Sequence, residues 1–380
     1  MGFHNPQAIK GILGSGGKLT DLFLPIKING DMALLKAIEL LLIELEKKNP
    51  GEVFDHDFIK NKTTGFENFE KQFEHLDLDH LAFLSGVPKN LIIEAAEIIA
   101  FKKRIIICWG MGLTQQPNGV DMIREIVNIL LIKGSIGKPG AGVCPVRGHS
   151  NVQGNRTMLI DEKPANEQLD RLQNYFGFSP PRNHGYDVVG TIKAIHDEKV
   201  KFMFCMGGNF LSAAPDTTYT AEAFRKLKLL VCVSTKLNRG HLIHGKESLI
   251  LPTLSRSDMD IVNNEVQIIS TENSMGVVQS SKGVLKPISD QLINETQIVC
   301  RMAMATLGDK SVIDWKRYHD SYDDVREAIE NCIPGFENYN SRVREKGGFY
   351  LPNAPRHGQF TAKESADRAA FTLTEIPDNE

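Results

Sequence analysis

The chain has 380 residues, of which 41% are hydrophobic and 24% are charged, and its formal net charge at pH 7 is -3. This length predicts two or three globular domains, and the charge excludes the basic surplus that is typical of nucleic-acid-binding domains. No apolar run approaches the roughly 18 residues that a membrane-spanning helix needs, and no charged leader with an apolar core marks a secretory signal.

The six cysteines are scattered along the chain without a C-x-x-C pair, so the usual spacing of zinc or iron–sulfur ligands is absent. Cys108, Cys205 and Cys232 lie inside apolar runs that resemble strands. We therefore predict buried, reduced thiols in a cytoplasmic protein, and we assign no residue as a metal ligand.

The first part of the chain predicts helices that lead to one strand and a glycine loop. Asp31 opens the first helix, where its carboxylate complements the helix dipole or faces a ligand. Apolar residues then recur at the helical period. The predicted elements are a helix from 31 to about 48, short surface helices over 52–75, a helix over 88–100, a buried strand over 105–109 and a helix over 120–132.

The remainder of the chain predicts a second alternation of strands and helices after an irregular polar stretch over 150–185. Its elements are helices over 188–197, 219–227, 288–307 and 322–332, strands over 201–206, 229–233 and 248–252, and short strands and turns over 264–287. The last ~28 residues are polar and aperiodic, which is typical of a linker or a disordered end. The alternation predicts an α/β fold of two Rossmann-like three-layer units with mostly parallel sheets.

Three of the predicted strands end in loops that can present backbone amides to a ligand. The glycines in these loops, at 110, 112, 207 and 208, allow a close approach of the backbone. Ser234, Thr235 and Lys236 add hydroxyl groups and a positive charge. Ligands of open α/β sheets bind beyond the carboxyl ends of the strands, so these loops predict a nucleotide-containing ligand. Ordinary turns at the sheet edge are the alternative, since no complete G-x-G-x-x-G motif is present.

Arg147 and His149 lie in a loop that Pro139, Pro145 and several glycines stiffen. An arginine there can bind a carboxylate or phosphate with two hydrogen bonds, and a histidine can move a proton near neutral pH. A structural role in anchoring the loop remains the alternative for both residues.

Several segments, taken in order, resemble the molybdopterin-dependent oxidoreductases of the formate dehydrogenase and dimethyl sulfoxide reductase type. The resemblance is nearly continuous from W-G-M-G-L-T-Q at 109–115 through N-G-V at 118–120 and G-S-I-G-K-P-G-A-G-V at 134–143 to P-V-R-G at 145–148 and N-V-Q-G at 151–154. Further segments, T-K-L-N-R at 235–239, I-L-P at 250–252 and S-K-G-V-L-K-P at 281–287, are similar to a formate-dehydrogenase-like branch.

This resemblance implies a bis-molybdopterin guanine dinucleotide cofactor that holds molybdenum or tungsten, and a small anionic substrate. Arg147 and His149 would be the catalytic residues, with Arg147 orienting the substrate. The cofactor-binding residues would be Gly110, Met111, Gly112, Thr114, Gln115, Gly148, Gly207, Gly208, Asn209, Ser234, Thr235 and Lys236. An electron-transfer partner is a further implication.

The resemblance also predicts that the chain is the middle of a longer subunit. Family members begin with a region that often carries an iron–sulfur cluster, and they end with a domain that closes over the cofactor. We expect domains over 1–148 and 149–345, a linker over 346–380, and no turnover by this piece alone. His149 stands where formate dehydrogenases have Gln, which puts formate itself in doubt. A non-catalytic nucleotide-binding module and an assembly subunit without cofactor are the alternatives.

Overall fold

The computed structural model describes residues 2–3, 7, 9, 14, 17–360 and 367–377. The chain divides into two compact units. The first unit comprises Met1–Gly148 together with Asn353–Glu380, and the second comprises His149–Pro352.

The first unit is mainly helical, and its longest helix lies at its centre. This helix, α1, carries Asp31 in its first turn and Lys47 and Lys48 in its last, which matches the polarity of the helix dipole. The helices are α1 (Asp31–Lys48), α2 (His56–Lys62), α3 (Phe66–Lys71), α4 (Leu78–Ser85), α5 (Lys89–Ala100), α6 (Met111–Thr114) and α7 (Gly119–Ile132). Helix α1 packs against α4, α5 and α7, which places its apolar face in the core of the unit.

Short strands complete this part of the first unit. Strands β1 (Gly2–Phe3) and β2 (Gly17–Lys18) pair in antiparallel orientation. Strand β3 (Thr63–Thr64) follows α2, and strands β4 (Ile106–Trp109) and β5 (Gly142–Pro145) pair in parallel orientation.

A buried polar cluster joins α1 to α7. The Lys36 Nζ lies 2.7 Å from the Glu125 Oε1, and these side chains are only 2% and 0% exposed. Lys36 also donates to the Gln72 Oε1 at 2.8 Å. Asn128 donates to the Glu125 Oε2 at 2.8 Å, and the fully buried Glu39 lies beside Glu125.

The second unit contains the larger parallel sheet. Strands β6 (Phe202–Met206), β7 (Leu229–Ser234) and β8 (Glu247–Pro252) lie side by side in that order. Short strands β9 (Ile261–Val262) and β10 (Glu265–Val266) form an antiparallel pair, and β11 (Ile269–Glu272), β12 (Val277–Ser281) and β13 (Phe349–Tyr350) form an antiparallel sheet.

The helices of the second unit flank these sheets. They are α8 (Val152–Thr157), α9 (Asn166–Phe176), α10 (Val188–His196), α11 (Phe210–Ala213), α12 (Thr217–Lys226), α13 (Glu295–Leu307), α14 (Trp315–Asp320), α15 (Tyr322–Cys332) and α16 (Tyr339–Arg342). Helices α10 and α12 cover the parallel sheet with Ile192, Ile195 and Phe224. Side chains of Asp187 and Asp216 accept hydrogen bonds at the starts of these two helices.

The C-terminal segment returns to the first unit. Strand β14 (Ala369–Ala370) pairs in parallel orientation with β3, and Phe371 is buried among Phe66 and Phe69. This arrangement differs from the predicted linker over 346–380, because the segment supplies a core aromatic side chain as well as strand hydrogen bonds. The predicted domain over 1–148 and the predicted linker over 346–380 both include residues outside the described ranges.

The α/β fold with parallel sheets is confirmed, whereas several local predictions are wrong. Residues 150–185 are not irregular, because they contain α8 and α9. Strand β4 is not buried, since Ile106 is 54% exposed and the strand has one sheet neighbour among the described residues. The thiols predicted to be buried are also more open: Cys108 is exposed, and Cys205 and Cys232 are half-buried.

Candidate functional site

The glycine loop of the first unit begins where two parallel strands end side by side. Trp109 of β4 is opposite Pro145 of β5, and the Val146 amide donates to the Trp109 carbonyl at 2.7 Å. The segment from Gly110 and the segment that contains Arg147 therefore leave the same edge of this strand pair. This edge is the expected place for a ligand of a parallel sheet.

Open space surrounds the first glycines of this loop. A Cβ atom on Gly112 would meet no described atom within 4 Å, and one on Gly110 would meet only the Val146 carbonyl oxygen at 3.8 Å. Met111 is 59% exposed beside them. Thr114 and Gln115 close the loop, where the Gln115 Nε2 donates to the Met111 Sδ at 3.6 Å.

Polar atoms that follow this loop are buried without partners. Gln116 donates through its Nε2 to the Asp31 Oδ2 at 2.9 Å and to the Gly112 carbonyl at 2.5 Å. Its Oε1, and the Nδ2 of Asn118, have no hydrogen-bond partner in the described part of the chain. A buried polar atom without a partner costs about 1–3 kcal/mol, so these atoms indicate a place where a polar ligand can bind.

The sequence analysis assigned no binding role to Gln116 or Asn118 and treated Asp31 chiefly as a helix cap. The Q-P-N-G run at 116–119, a turn directly after the predicted glycine loop, was the available signal.

Arg147, Gly148 and His149 are all exposed. Within the described ranges, neither Arg147 nor His149 makes a hydrogen bond or an ion pair. Neither residue therefore shows the contacts that a structural role in anchoring the loop would need. The donors of the Arg147 guanidinium are therefore without a protein partner in the described part of the chain. The division between the units falls at this point, since Gly148 ends the main segment of the first unit and His149 begins the second.

The glycine loop of the second unit depends on left-handed backbone. Gly207 and Gly208 have φ angles of +69° and +63°, which residues with a Cβ rarely adopt. The Gly207 amide donates to the Val233 carbonyl of β7 at 2.8 Å, and Asn238 donates to the Gly208 carbonyl at 3.3 Å. Asn209 caps α11 by accepting from the Ser212 amide at 3.3 Å. A Cβ on Gly208 would meet no described atom within 4 Å, so this loop too is open.

Thr235 lines a polar cavity of about 530 Å³ in the second unit. Ser234 lies beside it and donates to the Lys236 carbonyl at 2.7 Å, which fixes this turn at the end of β7. Among the residues that line the cavity are Asn151, Ser255, Arg256, Asp258 and Lys282. The sequence analysis assigned none of the five as a binding residue, although Asn151 and Lys282 lie in segments that carry the resemblance and the S-R-S-D run at 255–258 lies shortly after strand β8.

Charged groups of both signs face this cavity. Arg256 donates to the Ser150 Oγ at 3.1 Å, while Asp258 accepts from the Ser255 amide and hydroxyl at 2.7 and 2.8 Å. Glu295 lies at the cavity wall, and burial raises the pKa of its carboxyl. The cavity thus offers cations, carboxylates and hydroxyls, a set suited to a ligand with a phosphate and a polar base.

A family model and several related proteins identify the same family for this chain. A family model described as molybdopterin oxidoreductase matches residues 12–252. An uncharacterized oxidoreductase of Mycobacterium bovis is 44% identical over 374 residues, covering 98% of this chain and 48% of the relative. Protein YdeP of Escherichia coli is 41% identical over 347 residues, covering 90% of this chain and 46% of its own length.

More distant similarities agree with this. A formate dehydrogenase alpha subunit of Methanocaldococcus jannaschii is 28% identical over 320 residues, covering 82% of this chain and 44% of the relative. The solved structure of acetylene hydratase from Pelobacter acetylenicus shares the fold with a TM-score of 0.60 at 14% identity, covering 93% of this chain and 49% of that one. The chain therefore spans about half the length of the curated relatives that it matches.

Two kinds of feature are absent from the described residues. No helix there is long and apolar enough to cross a membrane. No group of three or more His, Cys, Asp or Glu side chains in that part of the chain is arranged to hold a metal ion.

Proposed function

Because the chain belongs to the molybdopterin oxidoreductase family, we propose that it forms part of a binding site for bis-molybdopterin guanine dinucleotide with molybdenum or tungsten. The observation that carries this proposal is the pair of open glycine loops, one in each unit, at the carboxyl ends of parallel strands. When bound, this cofactor supplies two-electron redox chemistry at its metal.

The residues of the chain fit such a group. Gly112 and Gly208 leave room for a pyrophosphate to approach the backbone, and the unpartnered atoms of Gln116 and Asn118 can bind polar atoms of a pterin. Thr235 and the polar cavity beside it suit the guanosine end, since hydroxyls bind ribose and carboxylates bind the amino edge of guanine.

Arg147 is proposed to hold a small anionic substrate, and His149 to move a proton or donate a hydrogen bond beside it. The exposed, unpaired guanidinium of Arg147 supports this role, because it can bind a carboxylate with two parallel hydrogen bonds. The similarity to a formate dehydrogenase alpha subunit supports a small anion as substrate, although His149 argues against formate itself. We propose that turnover and electron transfer need more than this chain, in line with its coverage of its relatives.

Gly112→Val tests cofactor binding in the first unit. Valine meets open space at this position and leaves the fold intact, but it blocks the close approach of a ligand. In the chain produced in a host that makes the cofactor, we expect GMP released by acid hydrolysis and bound metal to fall together by about tenfold or more, an affinity loss of at least about 1.4 kcal/mol. The melting temperature should remain unchanged.

Gly17→Val is the matched control, since a Cβ on Gly17 also meets no described atom within 4 Å, and Gly17 belongs to β2 and not to the glycine loop. Its GMP and metal content should match that of the unaltered chain. Equal cofactor in the Gly112→Val variant would contradict the proposal. Retention of guanine nucleotide without any molybdenum or tungsten would favour the nucleotide-binding module instead.

A further inference from the structure

Each parallel strand pair that leads to a glycine loop carries two cysteines directly opposite each other. Cys205 of β6 is the register partner of Cys232 of β7, and Cys108 of β4 is the register partner of Cys144 of β5. Register partners on neighbouring strands point to the same face and lie about 4.8 Å apart across the sheet. All four cysteines are free.

The thiols of Cys205 and Cys232 interact with each other. A hydrogen bond from Cys205 lowers the pKa of Cys232 to about 7, and the same contact raises the pKa of Cys205. This contact brings the two sulfur atoms close enough to bind one ion together. Thiolates are the form of cysteine that binds metals.

The two thiols also line a cavity of their own. It has a volume of about 20 Å³ and lies next to Gly207, Gly208 and His241. A space of this size holds about one water molecule, and therefore one metal ion, but no larger group. Both cysteines are half-buried, so the cavity is partly shielded and still reachable from solvent.

We propose that Cys205 and Cys232 form a binding site for a monovalent soft metal ion, copper(I), beneath the Gly207–Gly208 loop. Soft thiolate ligands select copper(I) over harder cations, and two sulfur ligands suffice for an ion of this kind. Starting from two thiols, two S–H bonds break, two Cu–S bonds form, and two protons pass to solvent. Copper stays monovalent, so no oxidant or reductant takes part in the step.

The test is an anaerobic titration of the apo-chain with copper(I) against a coloured copper(I) chelator. The starting variant is Cys108→Ser with Cys144→Ser, which removes the corresponding pair of the first unit. We expect it to take about one equivalent of copper(I) from the chelator, as one dithiol site requires. Binding should produce a near-ultraviolet charge-transfer band between sulfur and copper.

Cys205→Ser or Cys232→Ser, each added to this background, should abolish both the copper(I) uptake and the band. Cys300→Ser is the matched control, because Cys300 is a free, buried cysteine on α13, and it should leave both unchanged. Circular dichroism checks that each variant is folded. Undiminished copper(I) uptake by a folded Cys232→Ser variant, or no uptake by the starting variant, would overturn the proposal.

Discussion

Glu39 is a fully buried carboxyl group in a part of the molecule that the proposed cofactor chemistry does not use. Neither of its oxygens has a hydrogen-bond partner when the group is ionised, and its neighbour is the carboxylate of Glu125. Burial chiefly, and then the charge of Glu125, raises the pKa of Glu39 well above its ordinary value. A proton on Glu39 resolves the conflict, since the neutral carboxyl can donate to Glu125 while Lys36 neutralises that residue.

This proton makes the stability of the chain depend on pH in a defined direction. The folded state retains the proton above pH 4.5, where the unfolded chain loses it, so stability falls as pH rises towards the raised pKa. Glu39→Gln supplies a permanently neutral donor. We expect the unfolding free energy of the unaltered chain to fall more steeply with rising pH than that of Glu39→Gln, by up to about 1.4 kcal/mol per pH unit.

Urea unfolding at a series of pH values measures this difference. Glu44→Gln removes an exposed carboxyl from the same helix and should leave the slope unchanged. Identical slopes for the unaltered chain and Glu39→Gln would show that Glu39 is ionised in the folded state.

Single residues were predictable from the sequence where a backbone need selects a residue type. Gly207 and Gly208 are of this kind, since the structure places both in left-handed backbone, whereas Gly110 and Gly112 lie in open surroundings without a positive φ angle. Asn151, Ser255 and Lys282 were not predictable as cavity residues, because the cavity that they share is formed by segments far apart in the chain. Polar residues of this kind show no local pattern that separates a binding role from ordinary exposure.

Among the helices and strands, the predictions succeeded where the apolar residues follow a strong local pattern, and they failed where this pattern is weak. Helix α15 occupies the predicted residues 322–332, and strands β6, β7 and β8 lie where apolar runs indicated them. Helix α9 was missed because its apolar face is narrow. Leu169 is the one buried side chain of this helix, and most of the residues around Leu169 are polar. Strand β14 was missed because a two-residue strand gains its stability from β3, about 300 residues earlier.

The C-terminal segment that carries β14 should contribute strongly to the first unit. Phe371 packs against Phe69 and Phe66 with ring centroids 4.8 and 5.4 Å apart, and it is 7% exposed. The Asn128 amide pairs with the Thr372 backbone in both directions, at 2.8 and 3.1 Å. Phe371→Ala should lower the unfolding free energy by about 3–5 kcal/mol, because it leaves a cavity among aromatic rings.

Chemical unfolding followed by circular dichroism gives this value. Leu373→Ala is the control in the same segment, because Leu373 is 57% exposed and its removal should cost little. A loss below about 1 kcal/mol for Phe371→Ala, well under the usual range for a buried aromatic, would show that the segment is not docked in solution.

At the scale of the whole molecule, the resemblance to molybdopterin oxidoreductases is confirmed by the family model and by the relatives. The resemblance was detectable because loop sequences that hold a large cofactor keep their order and spacing over many residues. The substrate was not predictable, since the recognition of a small substrate depends on few side chains. The chain spans about half the length of the curated relatives that it matches, so the activity of the whole protein is a proposal.

Arg147→Ala tests the proposed substrate role in the complete, cofactor-loaded protein. A charge-assisted hydrogen bond contributes about 1.5–3 kcal/mol, so the KM for an anionic substrate should rise about tenfold or more. Steady-state kinetics measures this, with cofactor content determined in parallel. Arg124→Ala removes an exposed arginine that is paired with Asp121, and it should leave KM unaltered. An unaltered KM in Arg147→Ala would exclude it as the substrate-binding residue.

The return of the C-terminal segment to the first unit sets an order of events during synthesis. Asn353–Glu380 leaves the ribosome after all of His149–Pro352 has emerged. Domains generally fold as units, usually the N-terminal one first, but here the first unit is completed only after the second unit has emerged. Until Thr374 arrives to contact Glu125, the nascent chain exposes the polar cluster of α1 and α7, so the second unit has time to fold beforehand.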